Sequence, residues 1–182
     1  MAGNYLDLVR RYVEDAIAAE KSFEAQLRGF ATDGDDDEVK AAFAAHAEET
    51  RIQHERLAAR LIELGGNTST AKSILAHVLA QAPKAAQAGH IQEERTVQNL
   101  IMAYSVEASE CSMYEALAAL AAAAGDVTTA ALAREIQQEE KRTAEKLYHF
   151  IPTRSIIAYN MLTTGEVDPA VETKVGEHSW IA

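Results

Sequence analysis

Apolar residues recur in the first part of the chain at steps of three and four positions, which is the period of one face of an α-helix. The stripe consists of Tyr5, Val9, Tyr12, Ala16, Phe23, Leu27 and Phe30. An aspartate-rich run from Thr32 to Asp37 interrupts it and offers N-cap side chains to a following helix. The pattern predicts a first helix over about residues 4–31.

A second stripe with the same period stops at Gly65 and Gly66, which are typical of a helix C-terminus. It contains Val39, Ala42, Phe43, His46, Gln53, Leu57, Leu61 and Leu64. We expect a second helix over about residues 36–64. The next segment, residues 67–89, is long enough for a crossover with a short helix. The apolar side of that short helix is Ile74, Leu75, Val78 and Leu79.

Two further helices are predicted after the crossover. The third covers about residues 91–124, and Gly125 separates it from the fourth. The fourth is expected to end at Pro152, because proline lacks the N–H that continues a helix. The third helix also has a second apolar stripe that four-helix packing leaves uncovered, which predicts a homodimer. This stripe is Met102, Val106, Met113 and Leu120.

Two short-linked helical hairpins joined by one long crossover are typical of the ferritin-like four-helix bundle. The composition favours an all-α fold, since helix-forming residues are abundant and the chain of 182 residues has only 3 prolines and 9 glycines. We assign residues 1–152 to the bundle and residues 153–182 to a weakly patterned C-terminal extension.

The charge of the chain argues against two classes of partner. Lys and Arg total 17 against 28 Asp and Glu, and the formal net charge of −11 repels nucleic acid and anionic membranes. The single cysteine, Cys111, cannot form an internal disulfide and is expected to be a small core residue. No apolar run suits an export signal or a membrane span, so we predict a cytoplasmic protein.

Acidic residues interrupt the apolar stripes near the middle of the helices. Glu20 lies on the inward stripe of the first helix, and Glu107 and Glu110 stand where the third helix would need Leu or Ala. In the fourth helix, Glu139 and Glu140 bracket the centre of the stripe. At least one of the two should point inward, and periodicity does not choose between them.

The second helix adds His46, Glu49 and Gln53 along one inward edge, with His54 turned partly away. Whether Gln53 or His54 contributes to a site stays open. The Glu-x-x-His pair of ferritins is absent, because Ile52 stands three residues after Glu49. A site here would be rich in carboxylates, with His46 or Gln53 as its neutral ligand.

Anions that converge in a bundle core must be protonated, paired with cations or bound to metal ions. Hard divalent ions prefer oxygen ligands, which predicts bound iron or manganese. The alternative is a bundle without metal whose acids are neutralised by basic neighbours such as Arg51 and Lys141.

Four strings of the sequence carry a family resemblance: AEKSFEAQL (19–27), HAEETRIQHERL (46–57), VEASECSMYEAL (106–117) and QQEEKRTAEKL (137–147). They resemble the YciE/YciF family of bacterial ferritin-like stress proteins over about residues 4–150. The resemblance implies a cytosolic, dimer-forming bundle with a di-iron or similar site. The ligands that it implies are Glu20, His46, Glu49, Glu107, Glu110 and one of Glu139 and Glu140.

We therefore expect a ferritin-like metal-binding protein with two iron or manganese ions, which acts in stress-related redox chemistry or metal handling. Whether it is an oxidase or ferroxidase stays open at this point. One rival is a non-catalytic bundle that binds or protects other proteins, and another is an iron-storing cage of many subunits.

Overall fold

The computed structural model describes residues 5–67 and 91–166. In these ranges the chain forms four α-helices: α1 Tyr5–Phe30, α2 Asp37–Glu63, α3 Gln92–Ala123 and α4 Val127–Thr164. The prediction of an all-α four-helix bundle is confirmed. The predicted crossover helix around Ile74 and the tail from residue 167 onward lie outside the described residues.

The helices pack as two hairpins side by side. α1 packs along α2 and α3 packs along α4, while α1 also contacts α3 and α2 contacts α4. The loop between the helices of each hairpin is short, as expected for antiparallel neighbours. None of the described helices is both long and apolar enough to cross a membrane.

The helix boundaries follow from local chemistry. The side chains of Asp36 and Asp126 cap α2 and α4 by accepting backbone N–H bonds from Val39 and Thr129, each at 3.0 Å. α3 ends just before Gly125, whose φ of 77° lies in the left-handed region that glycine adopts without a steric penalty. The hairpin loops are therefore encoded by the residues that flank them.

The apolar core is divided into two clusters, one toward each end of the bundle. The first includes Val13, Ile17, Leu57, Leu61, Tyr114, Leu117 and Ile136. The second includes Phe23, Leu27, Phe43, Ala47, Leu100, Ala103, Val106 and Leu147. The mid-helix acids lie between the two clusters along every helix, so the core has a polar layer at its centre.

The prediction that Pro152 ends the last helix is wrong. Pro152 lies inside α4, which continues to Thr164. Proline removes one hydrogen bond from the helix, but contacts with α2 hold the continuation in place: Arg154 donates to Asp36 at 2.7 Å and to Glu38 at 2.6 Å. α4 thus continues through residues 152 and 153, where the bundle was predicted to give way to a C-terminal extension. The assignment of the chain to these two parts stays a prediction.

The buried face of α3 is narrower than the sequence suggests. Val106 is buried inside the bundle, while Met102, Met113 and Leu120 are half-buried. Cys111 is also half-buried, although a fully buried core position was expected. It follows the inward-pointing Glu110 directly, and a helix turns about 100° per residue, so its side chain points toward the edge of the bundle.

Candidate metal centre

Four carboxylates are fully enclosed in the polar layer. Glu20 on α1, Glu107 and Glu110 on α3, and Glu140 on α4 are at most 2% exposed. His46, which is 4% exposed, comes from α2. Glutamate is rarely buried without a partner, so the arrangement differs from the ordinary solvated face of a helix.

The side chains of this layer approach one another closely. The Nε2 atom of His46 lies 2.5 Å from Oε1 of Glu107. One candidate ligand atom from each of His46, Glu107 and Glu140 lies within 4.8 Å of the other two. Glu20 of α1 interacts electrostatically with Glu107 and His46, and its Oε1 accepts a hydrogen bond from the Tyr114 hydroxyl. All four helices therefore contribute to one cluster.

The donor atoms fit a hard divalent cation. Within the described residues, several buried atoms have no hydrogen-bond partner: Oε2 of Glu20, Oε2 of Glu107, both oxygens of Glu110 and of Glu140, and Nδ1 of His46. Buried polar atoms of this kind are nearly always satisfied in proteins. Carboxylate oxygens with one or two imidazole nitrogens are ligands that iron and manganese accept.

Burial strongly perturbs the protonation of Glu20, Glu110 and Glu140. It raises the pKa of Glu20 from 4.5 to about 8; the hydrogen bond from Tyr114 opposes this shift and the charge of Glu107 adds to it. The pKa values of Glu110 and Glu140 are raised well above 4.5, first by burial and then by the neighbouring carboxylates. Protons or a bound cation must therefore neutralise the cluster.

For His46, burial and the neighbouring carboxylates shift the pKa in opposite directions. Burial alone would lower its pKa, but the charge and hydrogen bond of Glu107, helped by Glu49, outweigh burial and raise the pKa from 6.5 to about 9. Without a cation, His46 is protonated at neutral pH and serves as the positive partner of Glu107. A metal ligand must be the neutral imidazole, so an ion that binds His46 displaces this proton.

Only one of the two adjacent glutamates on α4 enters the cluster. Glu140 is 0% exposed. Glu139 instead binds Arg56 of α2, whose Nη1 lies 2.8 Å and 2.9 Å from its two oxygens, and it accepts a bond from Gln53 at 3.2 Å. The inclusion of Glu139 among the candidate ligands therefore has no support in the geometry, because its oxygens are engaged by α2.

Glu49 lies at the edge of the cluster. Its side chain is 41% exposed, and its Oε2 is 3.8 Å from Nδ1 of His46. The Thr143 hydroxyl of α4 donates to the same oxygen at 3.3 Å. The contact with His46 lowers the pKa of Glu49, so this carboxylate is charged at neutral pH.

The remaining polar candidates stay outside the cluster. Gln53 is buried, but its amide nitrogen is directed to Glu139. The ring Nε2 of His54 lies 3.1 Å from Glu24 of α1. Two contacts were not anticipated: Arg56 binds Glu139, and Thr143 contacts Glu49. Both join α2 to α4, and the periodicity of either helix does not reveal them.

The acids are not neutralised by the basic residues suggested by the sequence. Arg51 binds Glu48 at 2.7 Å and Glu55 at 2.5 Å on the exposed side of α2. Across residues 5–67 and 91–166, no Arg or Lys forms a salt bridge with Glu20, Glu107, Glu110 or Glu140. Among the described residues, neither Arg51 nor Lys141 forms a salt bridge with these acids, so the geometry does not support their role as counter-ions.

The sequence over residues 6–158 matches a family described as a domain of unknown function, DUF892. The chain belongs to the DUF892 family. Its predicted resemblance to the YciE/YciF family is also confirmed, since the structure is similar to that of the Escherichia coli stress protein YciF. That pair shares 26% identity with a TM-score of 0.72, and the alignment covers 90% of this chain and 99% of YciF.

Other solved structures show the same fold as this DUF892 protein. YcfI from Rhodopseudomonas palustris has a TM-score of 0.73 at 23% identity, with 79% of this chain and 92% of YcfI covered. The DPS protein of Vibrio cholerae O1, described as a member of the ferritin-like diiron-carboxylate superfamily, has a TM-score of 0.65 at 17% identity, with 81% and 91% covered. A search of the curated proteins finds no match to the chain.

Proposed function

We propose that this DUF892 protein is a ferritin-like metal-binding protein with a dinuclear iron or manganese site in its polar layer. The observation that carries the proposal is the enclosure of Glu20, Glu107, Glu110 and Glu140 without an Arg or Lys counter-ion among the described residues. Such a cluster costs several kcal/mol unless protons or cations neutralise it. Two divalent ions would balance the four carboxylates in charge.

The individual residues would divide the work as follows. Glu107 and Glu140, which lie close to His46, would hold an ion on one side of the layer. Glu20 would hold the other ion through its unpaired Oε2, since Tyr114 occupies Oε1. Glu110, with both oxygens unpaired, would complete the shell. The ions would supply the redox chemistry, and the protein would supply geometry and exclude water.

The physiological role that we propose is stress-related redox chemistry or metal handling in the cytoplasm. The name of YciF as a stress protein and the description of the Vibrio DPS protein as a diiron-carboxylate protein support it. An oxidase-type reaction of ferrous iron with dioxygen is the activity that such a site favours. The absence of the Glu-x-x-His pair favours a slower reaction than that of ferritins.

Metal analysis tests the proposal directly. The purified protein is stripped with a chelator, incubated with Mn²⁺ or, without oxygen, with Fe²⁺, and desalted before its metal content is measured. We expect about two ions per chain, and a clear loss in Glu107→Gln and Glu110→Gln. Glu48→Gln, which changes an exposed glutamate on α2, is the matched control and should bind like the wild type.

A wild-type protein that retains no ion in this experiment would contradict the proposal. The non-catalytic bundle would then take its place, because the raised pKa values of Glu20, Glu110 and Glu140 allow the cluster to exist in protonated form. In that case chelator treatment would leave the melting temperature unchanged, whereas a bound ion stabilises the native state by mass action.

We also propose that the protein is a homodimer. Apolar side chains on α3 and the end of α4 support this: Ile101 is 48% exposed, Tyr159 65% and Leu162 55%. A groove of about 320 Å³ lies between these two helices, with Val97 and Tyr159 among its lining residues. Mass measurement in solution at micromolar concentration tests this, and a strictly monomeric mass would contradict it. A mass of many subunits would favour the cage instead.

A further inference from the structure

The metal cluster of the proposed function is closed at both ends of the bundle. The apolar cluster around Ile17 and Leu117 lies on one side of the polar layer, and the cluster around Phe23 and Leu147 lies on the other. Close packing of apolar side chains leaves no route for a hydrated cation along the bundle axis. An ion must therefore enter between two helices.

The interface between α2 and α4 differs from the others. Among the neighbouring helix pairs, the backbones of α2 and α4 approach each other closely at the fewest positions. Polar side chains connect them over much of their length: Arg56 binds Glu139 and Glu135, Arg60 binds Asp126, and Arg154 binds Asp36. We call this interface the polar seam. Because many of its contacts are polar, this seam can open locally with less loss of buried apolar surface than the packed hairpins.

Glu49 occupies the seam at the height of the cluster. Its carboxylate is 41% exposed and faces Nδ1 of His46 at 3.8 Å, and this nitrogen has no hydrogen-bond partner among the described residues. The other ring nitrogen of His46 contacts Glu107 at 2.5 Å. Glu49, His46 and Glu107 thus form a continuous line from solvent to the enclosed carboxylates.

Glu49 is also the seam glutamate that is available to an incoming ion. Glu139 is held by two contacts of 2.8 Å and 2.9 Å from Arg56. In residues 5–67 and 91–166, Glu49 forms no salt bridge with Arg or Lys, although the guanidinium of Arg142 attracts it from a greater distance. A cation that displaces the weak bond from Thr143 would meet a carboxylate that faces His46 and that no Arg or Lys of the described residues holds in a salt bridge.

We propose that divalent cations enter the enclosed cluster through the polar seam, with the Glu49 carboxylate as the docking ligand that passes them to His46 and Glu107. This inference rests on the proposed function. Glu49 then controls the rate of loading, and the ion at rest lies deeper, among Glu20, Glu107, Glu110 and Glu140. The family resemblance would instead make Glu49 a permanent ligand, and the two roles predict different measurements.

Loading kinetics separate the two roles. Metal-free protein is mixed with Co²⁺, whose visible absorption changes on binding, and association, dissociation and equilibrium binding are each measured. In Glu49→Gln we expect association to slow by about tenfold or more, because a charge that steers cations has been lost. Dissociation should slow by a similar factor, so the dissociation constant and the stoichiometry stay near the wild-type values.

Two further variants complete the test. Glu49→Asp keeps the charge and should recover most of the rate. Glu48→Gln neutralises the preceding residue, which pairs with Arg51 on the exposed side of α2, and should load like the wild type. Both variants change helix-surface positions and are expected to fold.

The outcomes are distinct. Wild-type rates in Glu49→Gln would overturn the entry role, and so would a loss of stoichiometry or affinity at an unchanged association rate, which would make Glu49 a permanent ligand. Equal slowing in Glu48→Gln would also overturn it, since any surface charge would then suffice. A wild-type protein that binds no Co²⁺ at equilibrium would overturn the proposed function together with this inference.

Discussion

Tyr114 is the neutral residue most tightly joined to the cluster. Its side chain is 0% exposed, and its hydroxyl donates to a carboxylate that has no other hydrogen-bond donor among the described residues. The aromatic ring packs in the apolar cluster beside Leu117 and Ile136 while the hydroxyl reaches the polar layer. A buried tyrosine usually needs such a partner, and here it also fixes the orientation of Glu20.

Tyr114→Phe should therefore destabilise the metal-free protein by about 1–3 kcal/mol, because Oε1 of Glu20 loses its donor inside the core. Urea denaturation in the presence of a chelator measures this change. Tyr104→Phe is the control. Tyr104 is half-buried with its ring 5.5 Å from that of Tyr148, so this substitution should lower the free energy of unfolding by less. An equal effect in both variants would contradict a specific role of the Tyr114 hydroxyl.

Helical periodicity predicts which residue points inward only where two adjacent residues do not lie equally close to the inward stripe. Glu20, Glu107 and Glu110 were placed inward by the three- and four-residue steps of their helices, and they are buried. The choice between Glu139 and Glu140 needed a long-range contact. Arg56 of α2 binds Glu139 and holds it against α2, outside the cluster. No local pattern of α4 contains that information.

At the scale of the helices, the start of α4 is capped by a carboxylate that accepts three hydrogen bonds. Asp126 accepts from the backbone of Thr129 at 3.0 Å, from its hydroxyl at 2.6 Å, and from Arg60 of α2 at 2.7 Å. It is only 8% exposed. One carboxylate thus caps α4 and ties it to α2.

Asp126→Ala should lower the free energy of unfolding by about 2 kcal/mol, the upper end of the effect of removing an N-cap, because Arg60 also loses a partly buried partner. Chemical denaturation measures this. Glu63→Ala removes the other acidic partner of Arg60, a carboxylate on the exposed surface, and should cost no more than about 0.5 kcal/mol. A cost as large for Glu63→Ala would show that the ion pair matters more than the cap.

The helix ends show where local rules are sufficient and where they fail. The aspartate cap of α2 and the glycine after α3 were predicted from the sequence, because each acts within its own turn. The cap of α4 by Asp126 is equally local but was not predicted. Pro152 was misread, because the bonds of Arg154 to Asp36 and Glu38 stabilise the helix beyond it. Those partners are more than a hundred residues away along the chain.

At the scale of the whole molecule, the cluster should make stability depend on pH in a direction that metal reverses. The raised pKa of Glu20 means that its stabilising contribution is complete below pH 4.5 and is lost as the pH rises toward about 8. Glu110 and Glu140 shift in the same direction. The contribution of His46 is complete below pH 6.5 and is lost as the pH rises toward about 9.

With chelator present, the melting temperature should therefore fall between pH 5.5 and pH 8.5, because the native sites hold protons that the unfolded chain releases. With saturating Mn²⁺ it should fall less or rise, because the ion replaces the protons and binds more tightly at higher pH. Thermal melts across this range, with and without chelator, measure both slopes. Parallel curves would contradict a metal site in the polar layer.

The topology of the molecule was the easiest feature to predict. The lengths of the stripes and the two short loops favour the order of hairpins that the structure shows, and these signals add over many residues. The polar seam was not predicted, since it depends on how two helices that are distant in sequence face each other. The exposure of Glu49 follows from that seam.

The polar layer also determines how the protein can change by mutation. Replacing buried charges with apolar residues of similar volume is often neutral or stabilising, and the two apolar clusters hold the bundle together on either side of the layer. Substitutions such as Glu110→Leu or Glu140→Leu would therefore tend to stabilise the metal-free fold while removing the donor atoms. Thermodynamic stability alone gives no reason to keep these acids. A descendant that no longer needs the proposed metal centre could lose it through single substitutions, each compatible with folding, and persist as a four-helix scaffold without that centre.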